Sequence, residues 1–304
     1  MIARPHPPDD FVDFWSEVVR EADAAKLYYR RDLRRLQAPG GHLVETFEFA
    51  AIDGGTLHGW IAFPEGARRF PGFLWLPPYG RESVLPDEYG TRQGFVSMSF
   101  NLHGLPALYQ EKYTPSRGYF AEGVGEPGTW IFRRLIQNAM IAIRVLRAQI
   151  EVDEDRIAAA GMSQGGGMAI WLGAWSPIVK AVCADMPFLG ATWHSLAQGA
   201  YRYPLKELSD FADSVPIGRE RMLNTVSYFD TAHQAAHCAK PTLVSLGELD
   251  PAVRPAYAET VYEALPGPKR LVRYAGGHDW DPAMVENNVE WLRDHLGDGA
   301  AGES

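Results

Sequence analysis

Between Ile157 and Val179 the chain carries no charged side chain. A run of that length is long enough to cross a bilayer. It holds Gly161, Ser163, Gln164, Gly165, Gly166, Gly167, Gly173 and Pro177, however, and so much glycine and polar side chain argues against a membrane helix. The alternative is a buried strand, a sharp turn and a buried helix. The turn reads Gly161-Met-Ser163-Gln-Gly165, after Arg156-Ile-Ala-Ala-Ala160 and before Gly-Gly-Met-Ala-Ile-Trp-Leu172. Small residues two positions either side of a serine relieve the crowding of a tight strand-to-helix turn. Such a turn exposes the hydroxyl at a strand end. It also aims backbone N–H groups and the positive end of the helix at any anion formed there. Ser163 is therefore the candidate nucleophile. The competing reading is a glycine-rich packing turn whose serine only caps the helix.

Other apolar runs predict the frame around that turn. Leu43–Phe49 alternates apolar and polar, Asp53-Gly-Gly55 turns the chain, and Leu57–Phe63 returns as an antiparallel hairpin. Continuous runs follow at 72–76, 95–100, 157–160, 179–184, 242–246 and 270–274, as expected of strands buried on both faces. Helical spacing marks Ile131 to Leu146, Tyr257 to Leu265, and Val285 to Leu296, the last with Asp281 as cap and Pro282 in its first turn. The alternation predicts one α/β domain over residues 1–304. Its mostly parallel sheet should have eight strands, the first two antiparallel, with helices on both faces. Residues 1–41 read as a helical extension, capped by Asp9 or Asp10, followed by a basic linker. Residues 190–231, rich in aromatics, read as a partly helical insertion over the active-site end of the sheet. Residues 297–304 read as a frayed tail.

Composition narrows the partners. With 29 basic against 38 acidic residues the net charge is −9, which disfavours nucleic acid and anionic membranes as partners. Cys183 and Cys238 form no CxxC pair and no zinc-spaced cluster, so neither disulfide scaffold nor metal is expected. The first ten residues lack an apolar signal core, and a cytoplasmic location is the expectation.

A serine nucleophile needs a base, and the base needs an orienting acid. In a parallel sheet of this kind the order along the chain is serine, acid, histidine. The loop after the run at 242–246 reads Gly247-Glu-Leu-Asp250-Pro, and that after 270–274 reads Ala275-Gly-Gly-His278-Asp-Trp280. Both follow carboxyl ends of strands, where such sheets bind ligands. Asp250 and His278 are the candidate acid and base, with Glu248 as rival acid. The oxyanion donors are expected from the amides of Gln164 and Tyr79, since Pro77 and Pro78 have no N–H to offer. His103, past the fourth run, and Leu105 border the expected site. Trp193, in the insertion, and Trp280, beside His278, are candidate substrate contacts. His233 and His237 are spaced i, i+4 but lack an acidic third ligand, so no metal is expected there.

Taken together these residues resemble the acetyl xylan esterase and cephalosporin C deacetylase family of α/β-hydrolases. The likeness is carried by Phe11-Val-Asp-Phe-Trp15, Tyr79-Gly80, Gly118-Tyr-Phe120, Trp130-Ile-Phe-Arg133 and Glu151-Val-Asp-Glu-Asp-Arg-Ile157. It continues through Gly161-Met-Ser-Gln-Gly-Gly-Gly167, Ala184-Asp-Met-Pro-Phe-Leu189 and Ser227-Tyr-Phe-Asp230. The resemblance implies a serine esterase that removes small acyl groups, mainly acetyl, from small carbohydrate-like or other alcohol esters, with no metal or cofactor. It also implies a homo-oligomer, a ring-like hexamer with active sites facing an inner cavity. Where the family has Arg-Gly-Gln this chain has His103-Gly104-Leu105, and where the family has His-Glu it has His278-Asp279. The same triad would also serve a peptidase or amidase, and the fold alone a non-catalytic binding protein.

Overall fold

The computed structural model describes residues 6–38, 41–66, 68–197 and 202–297. Helix α1 (Phe11–Ala24) leads into three strands, β1 (Tyr29–Ala38), β2 (His42–Ala50) and β3 (Thr56–Pro64). Then come β4 (Phe70–Leu76), β5 (Val96–Phe100), α2 (Ile131–Arg147), β6 (Val152–Met162), α3 (Gln164–Trp175) and β7 (Val179–Asp185). Four short helices follow: α4 (Thr192–Ala197), α5 (Leu205–Ser214), α6 (Gly218–Phe229) and α7 (Thr231–Ala235). The chain ends with β8 (Thr242–Gly247), α8 (Pro255–Ala264), β9 (Lys269–Tyr274) and α9 (Pro282–Leu296). The strands form one sheet in the order β1-β2-β3-β5-β4-β6-β7-β8-β9. From β5 onward all pairings are parallel, and the pairings of β1 with β2, β2 with β3 and β3 with β5 are antiparallel.

The described residues thus hold nine strands where the sequence predicts eight. The extra one is β1, which reading by composition makes a linker. Its Arg30, Arg31, Arg34 and Arg35 hide the strand pattern, and the structure shows why they are tolerated there. Arg31 bonds Glu45 and Glu151, Arg35 bonds Glu45, and Arg30 pairs with Glu48. Charge on an edge strand also discourages unwanted pairing. The second correction concerns Asp10. It sits at the start of α1 but its side chain caps nothing; its carboxylate instead accepts a bond from the Tyr228 hydroxyl at 2.5 Å. Asp281 does cap α9, accepting from the Ala283 amide at 2.9 Å.

The inner strands β4 to β8 are largely buried on both faces, their alternating side chains meeting helices on each side, whereas the edge strand β9, expected to be buried as well, is mostly half-buried. In β6, Ile157 and Ala159 face a core built with α1, α2, α3 and α8, whereas Ala158 and Ala160 face a smaller core closed by Trp291, Leu292 and Leu296 of α9. Small side chains in β6 let α3 approach closely. The uncharged run of 157–179 is accordingly strand, turn and helix, and no described helix is long and apolar enough to cross a membrane. In the insertion, α6 returns to the body, where Tyr228 and Phe229 pack on Phe14 and Trp15. Past Gly297 the predicted frayed tail lies outside the described residues.

Candidate active site

The turn between β6 and α3 is strained at Ser163. Ser163 has φ +57° and ψ −117°, a conformation rare for a residue with a side chain. Main-chain bonds hold it there. The Ser163 amide donates to Asp185 O at 2.8 Å, and its carbonyl accepts from Gly167 N and Phe188 N. A Cβ at Gly161 would strike the Gly165 backbone, and one at Gly165 would strike the Leu76 carbonyl. Only glycine at both positions permits this close passage of backbone. Asp185, fully buried behind the turn, is fixed by Ser245 Oγ at 2.6 Å and Asn288 Nδ2 at 2.9 Å. Burial pushes its carboxyl up from the ordinary range.

Three distant residues meet at this turn. His278 Nε2 lies 2.9 Å from Ser163 Oγ, and His278 Nδ1 lies 2.6 Å from Asp250 Oδ2. The Asp250 side chain is fully buried, while that of His278 is 23% exposed. Asp250 Oδ1 accepts from the amides of Ala252 and Val253 at 2.7 and 2.8 Å, so both carboxylate oxygens are satisfied. An ionised carboxylate can only accept, which makes Nδ1 the donor and leaves Nε2 free to accept the serine proton. Glu248, the rival acid, points away to Arg273 at 3.2 Å. The two loops dock through Glu248 N to Tyr274 O and Leu249 N to Gly276 O. A side chain at Gly247 would collide with the Gly276 and Gly277 carbonyls, which explains the glycine at 247.

Tyr79 and Gln164 sit as the sequence places them, after β4 and as the first residue of α3. The structure adds what holds them. Gln164 Oε1 accepts from the Tyr119 hydroxyl at 2.8 Å, and Tyr79 donates its hydroxyl to Glu207 Oε1 at 3.0 Å. Burial, with Glu207 beside it, pushes the Tyr79 phenol well above its ordinary range, and burial does the same to Tyr119. Both therefore serve as neutral donors. Tyr119 lies in the Gly118-Tyr-Phe120 segment that carries part of the family resemblance, but nothing in the sequence pairs it with Gln164. Glu207 carries no sequence signal at all.

The remaining candidates take different places. The His103 ring packs on Tyr119 with centroids 4.4 Å apart, and Leu105 is half-buried on the same loop. Trp193 is buried and stacks on His233. Trp280 turns its ring to Trp75 and Tyr89. His237 lies between Phe11 and Trp175, stacked on both. No group of three His, Cys, Asp or Glu suited to a metal occurs among the described residues.

Burial, reinforced by the Arg81 charge, pushes the His103 imidazole down from 6.5 to about 4. The folded state therefore favours the neutral ring, and the unfolded chain takes up the proton first as pH falls. The associated stability is complete above about pH 6.5 and is lost on acidification toward pH 4, by up to about 3 kcal/mol. Denaturant midpoints should fall more steeply over that window in wild type than in His103→Asn; parallel curves would contradict the assignment.

A serine on a strained strand-to-helix turn, joined to a histidine and a buried carboxylate on the next strand-end loops, defines an α/β-hydrolase. Comparison with known proteins gives the family. A family model described as acetyl xylan esterase (AXE1) matches residues 2–295, and the chain belongs to that family. Among solved structures, an acetyl xylan esterase from Paenibacillus sp. R4 superposes with a TM-score of 0.85 at 22% identity, covering 97% of each chain. Acetyl xylan esterase 1 from Thermoanaerobacterium sp. JW/SL YS485 gives 0.83 at 19% identity, covering 95% of this chain and 94% of that one. A curated relative, an acetyl esterase of Xylanibacter ruminicola, is 22% identical over 250 residues. That match takes in 78% of this chain, which thus spans little more than half (56%) of the relative's length.

Proposed function

We propose that the protein is a carboxylester hydrolase that removes short acyl groups, acetyl foremost, from small carbohydrate-like or other alcohol esters. The observation that carries this reading is the continuous relay from Ser163 Oγ through the His278 ring to Asp250, at 2.9 and 2.6 Å. In the proposed reaction Ser163 attacks the ester carbonyl while His278 Nε2 takes its proton. Asp250 holds the imidazole in the Nδ1–H tautomer and stabilises its charged form. The amides of Tyr79 and Gln164 receive the tetrahedral oxyanion, each donor contributing about 3 kcal/mol to the barrier reduction. His278 then protonates the leaving alcohol. Water repeats the sequence on the acyl-enzyme, and the acid is released.

The acetyl preference rests on family membership. Turnover of 4-nitrophenyl esters from acetate to octanoate tests it. A steep fall in kcat/KM beyond propionate is expected; a maximum at longer chains would refute the short-acyl reading. The reading includes a cytoplasmic homo-oligomer, a hexamer by likeness to the family. Exposed Leu33 and Leu36 on the edge strand β1 support an interface there.

A further inference from the structure

The oxyanion loop is tied to the insertion by one buried carboxylate. Glu207, on α5, is only 2% exposed. No ion pair among the described residues involves it, and its chain neighbour Lys206 reaches Asp210 instead. Burying a carboxylate without a cation is costly unless hydrogen bonds replace its water. Here they come from the site. Oε1 accepts from the Tyr79 hydroxyl at 3.0 Å and from the Gly118 amide at 2.7 Å, and Oε2 accepts from the Ala121 amide at 3.4 Å. A Cβ at Gly118 would overlap the Tyr79 hydroxyl, so glycine there is a condition of the bond.

Both halves of the candidate oxyanion hole depend on these contacts. Tyr79, whose amide is one donor, is gripped directly by its own hydroxyl. The second half is reached through the segment from Gly118 to Ala121. That segment carries Tyr119, whose ring lies 4.7 Å from that of Tyr79 and whose hydroxyl bonds Gln164, the residue bearing the other amide. We infer that Glu207 is a positioning residue for the oxyanion hole, through which the insertion sets how closely the hole fits the transition state. Glu207 touches neither substrate nor reacting atoms; it acts through Tyr79 and the 118–121 segment. The inference rests on the esterase reading above.

A double-mutant cycle tests it, with kcat and KM for 4-nitrophenyl acetate measured on the full chain. Glu207→Ala should lower kcat about tenfold to a hundredfold with KM within about threefold, because misplaced donors weaken transition-state binding more than ground-state binding. Glu207→Gln, which keeps an oxygen for Tyr79 and Gly118, should recover most of that loss. Tyr79→Phe keeps the amide but frees the ring, and should lower kcat about tenfold. The double variant Glu207→Ala with Tyr79→Phe should be no slower than Glu207→Ala alone. Losses that multiply, or that appear in KM or thermal stability without kcat, overturn the proposal. If Glu207→Ala fails to fold, an unchanged kcat in Tyr79→Phe overturns it by itself. A wild type without Ser163-dependent turnover overturns the esterase reading with it, whereas normal turnover with a flat cycle overturns this inference alone.

Discussion

Ser163→Ala is expected to lower kcat/KM for 4-nitrophenyl acetate by about 10⁴- to 10⁶-fold while leaving the fold intact. The size follows from what the substitution removes. In the proposed reaction no acyl-enzyme forms without Oγ, and only the proposed oxyanion donors and binding would remain to speed attack by water. The fold should survive because the turn is held by main-chain bonds from Ser163 N to Asp185 O and from Gly167 N and Phe188 N to Ser163 O. None of these involves the side chain. Initial rates and a denaturation curve on the same preparation separate the two effects. Equal rates for variant and wild type would remove Ser163 from the chemistry.

Asp250→Asn should lower kcat about 10⁴-fold, for a reason of tautomers rather than charge alone. Oδ1 of Asp250 is engaged by the Ala252 and Val253 amides, both donors. An asparagine keeps its oxygen there, which turns its NH₂ toward His278 Nδ1. Two donors then face each other unless the imidazole changes tautomer, placing its proton on Nε2. That nitrogen can no longer accept from Ser163. Glu248→Gln is the matched control: its partner Arg273 is exposed, and a surface pair of this kind contributes less than about 1 kcal/mol. Its rate should stay within about twofold of wild type. Should Glu248→Gln instead show the large loss, the acid has been assigned to the wrong loop.

Which parts of this molecule were legible in the sequence follows from the range of the forces involved. The turn at Ser163 was legible because steric crowding within five residues dictates glycines at fixed offsets. The loops of Asp250 and His278 were legible because continuous apolar runs mark the strand ends before them. Strand β1 was not, since its arginines erase the apolar pattern and their partners Glu45, Glu48 and Glu151 lie on other strands. Asp10 has the composition of a cap, yet a hydroxyl from Tyr228, more than two hundred residues away, takes its carboxylate. The contacts of Tyr119 with Gln164 and of Glu207 with Tyr79 were hidden on the same ground. They form only when the insertion, the 118–121 segment and the loop after β4 converge, and no local periodicity encodes that meeting.

The proposed catalysis requires a serine hydroxyl made nucleophilic by its neighbours, and chemical labelling reads that property directly. Wild type treated with a fluorophosphonate, then digested and mapped by mass spectrometry, should carry one phosphonyl adduct, on Ser163. Adduct formation should slow sharply in His278→Ala. An unlabelled Ser163, or an adduct that forms equally fast without the imidazole, would contradict the account.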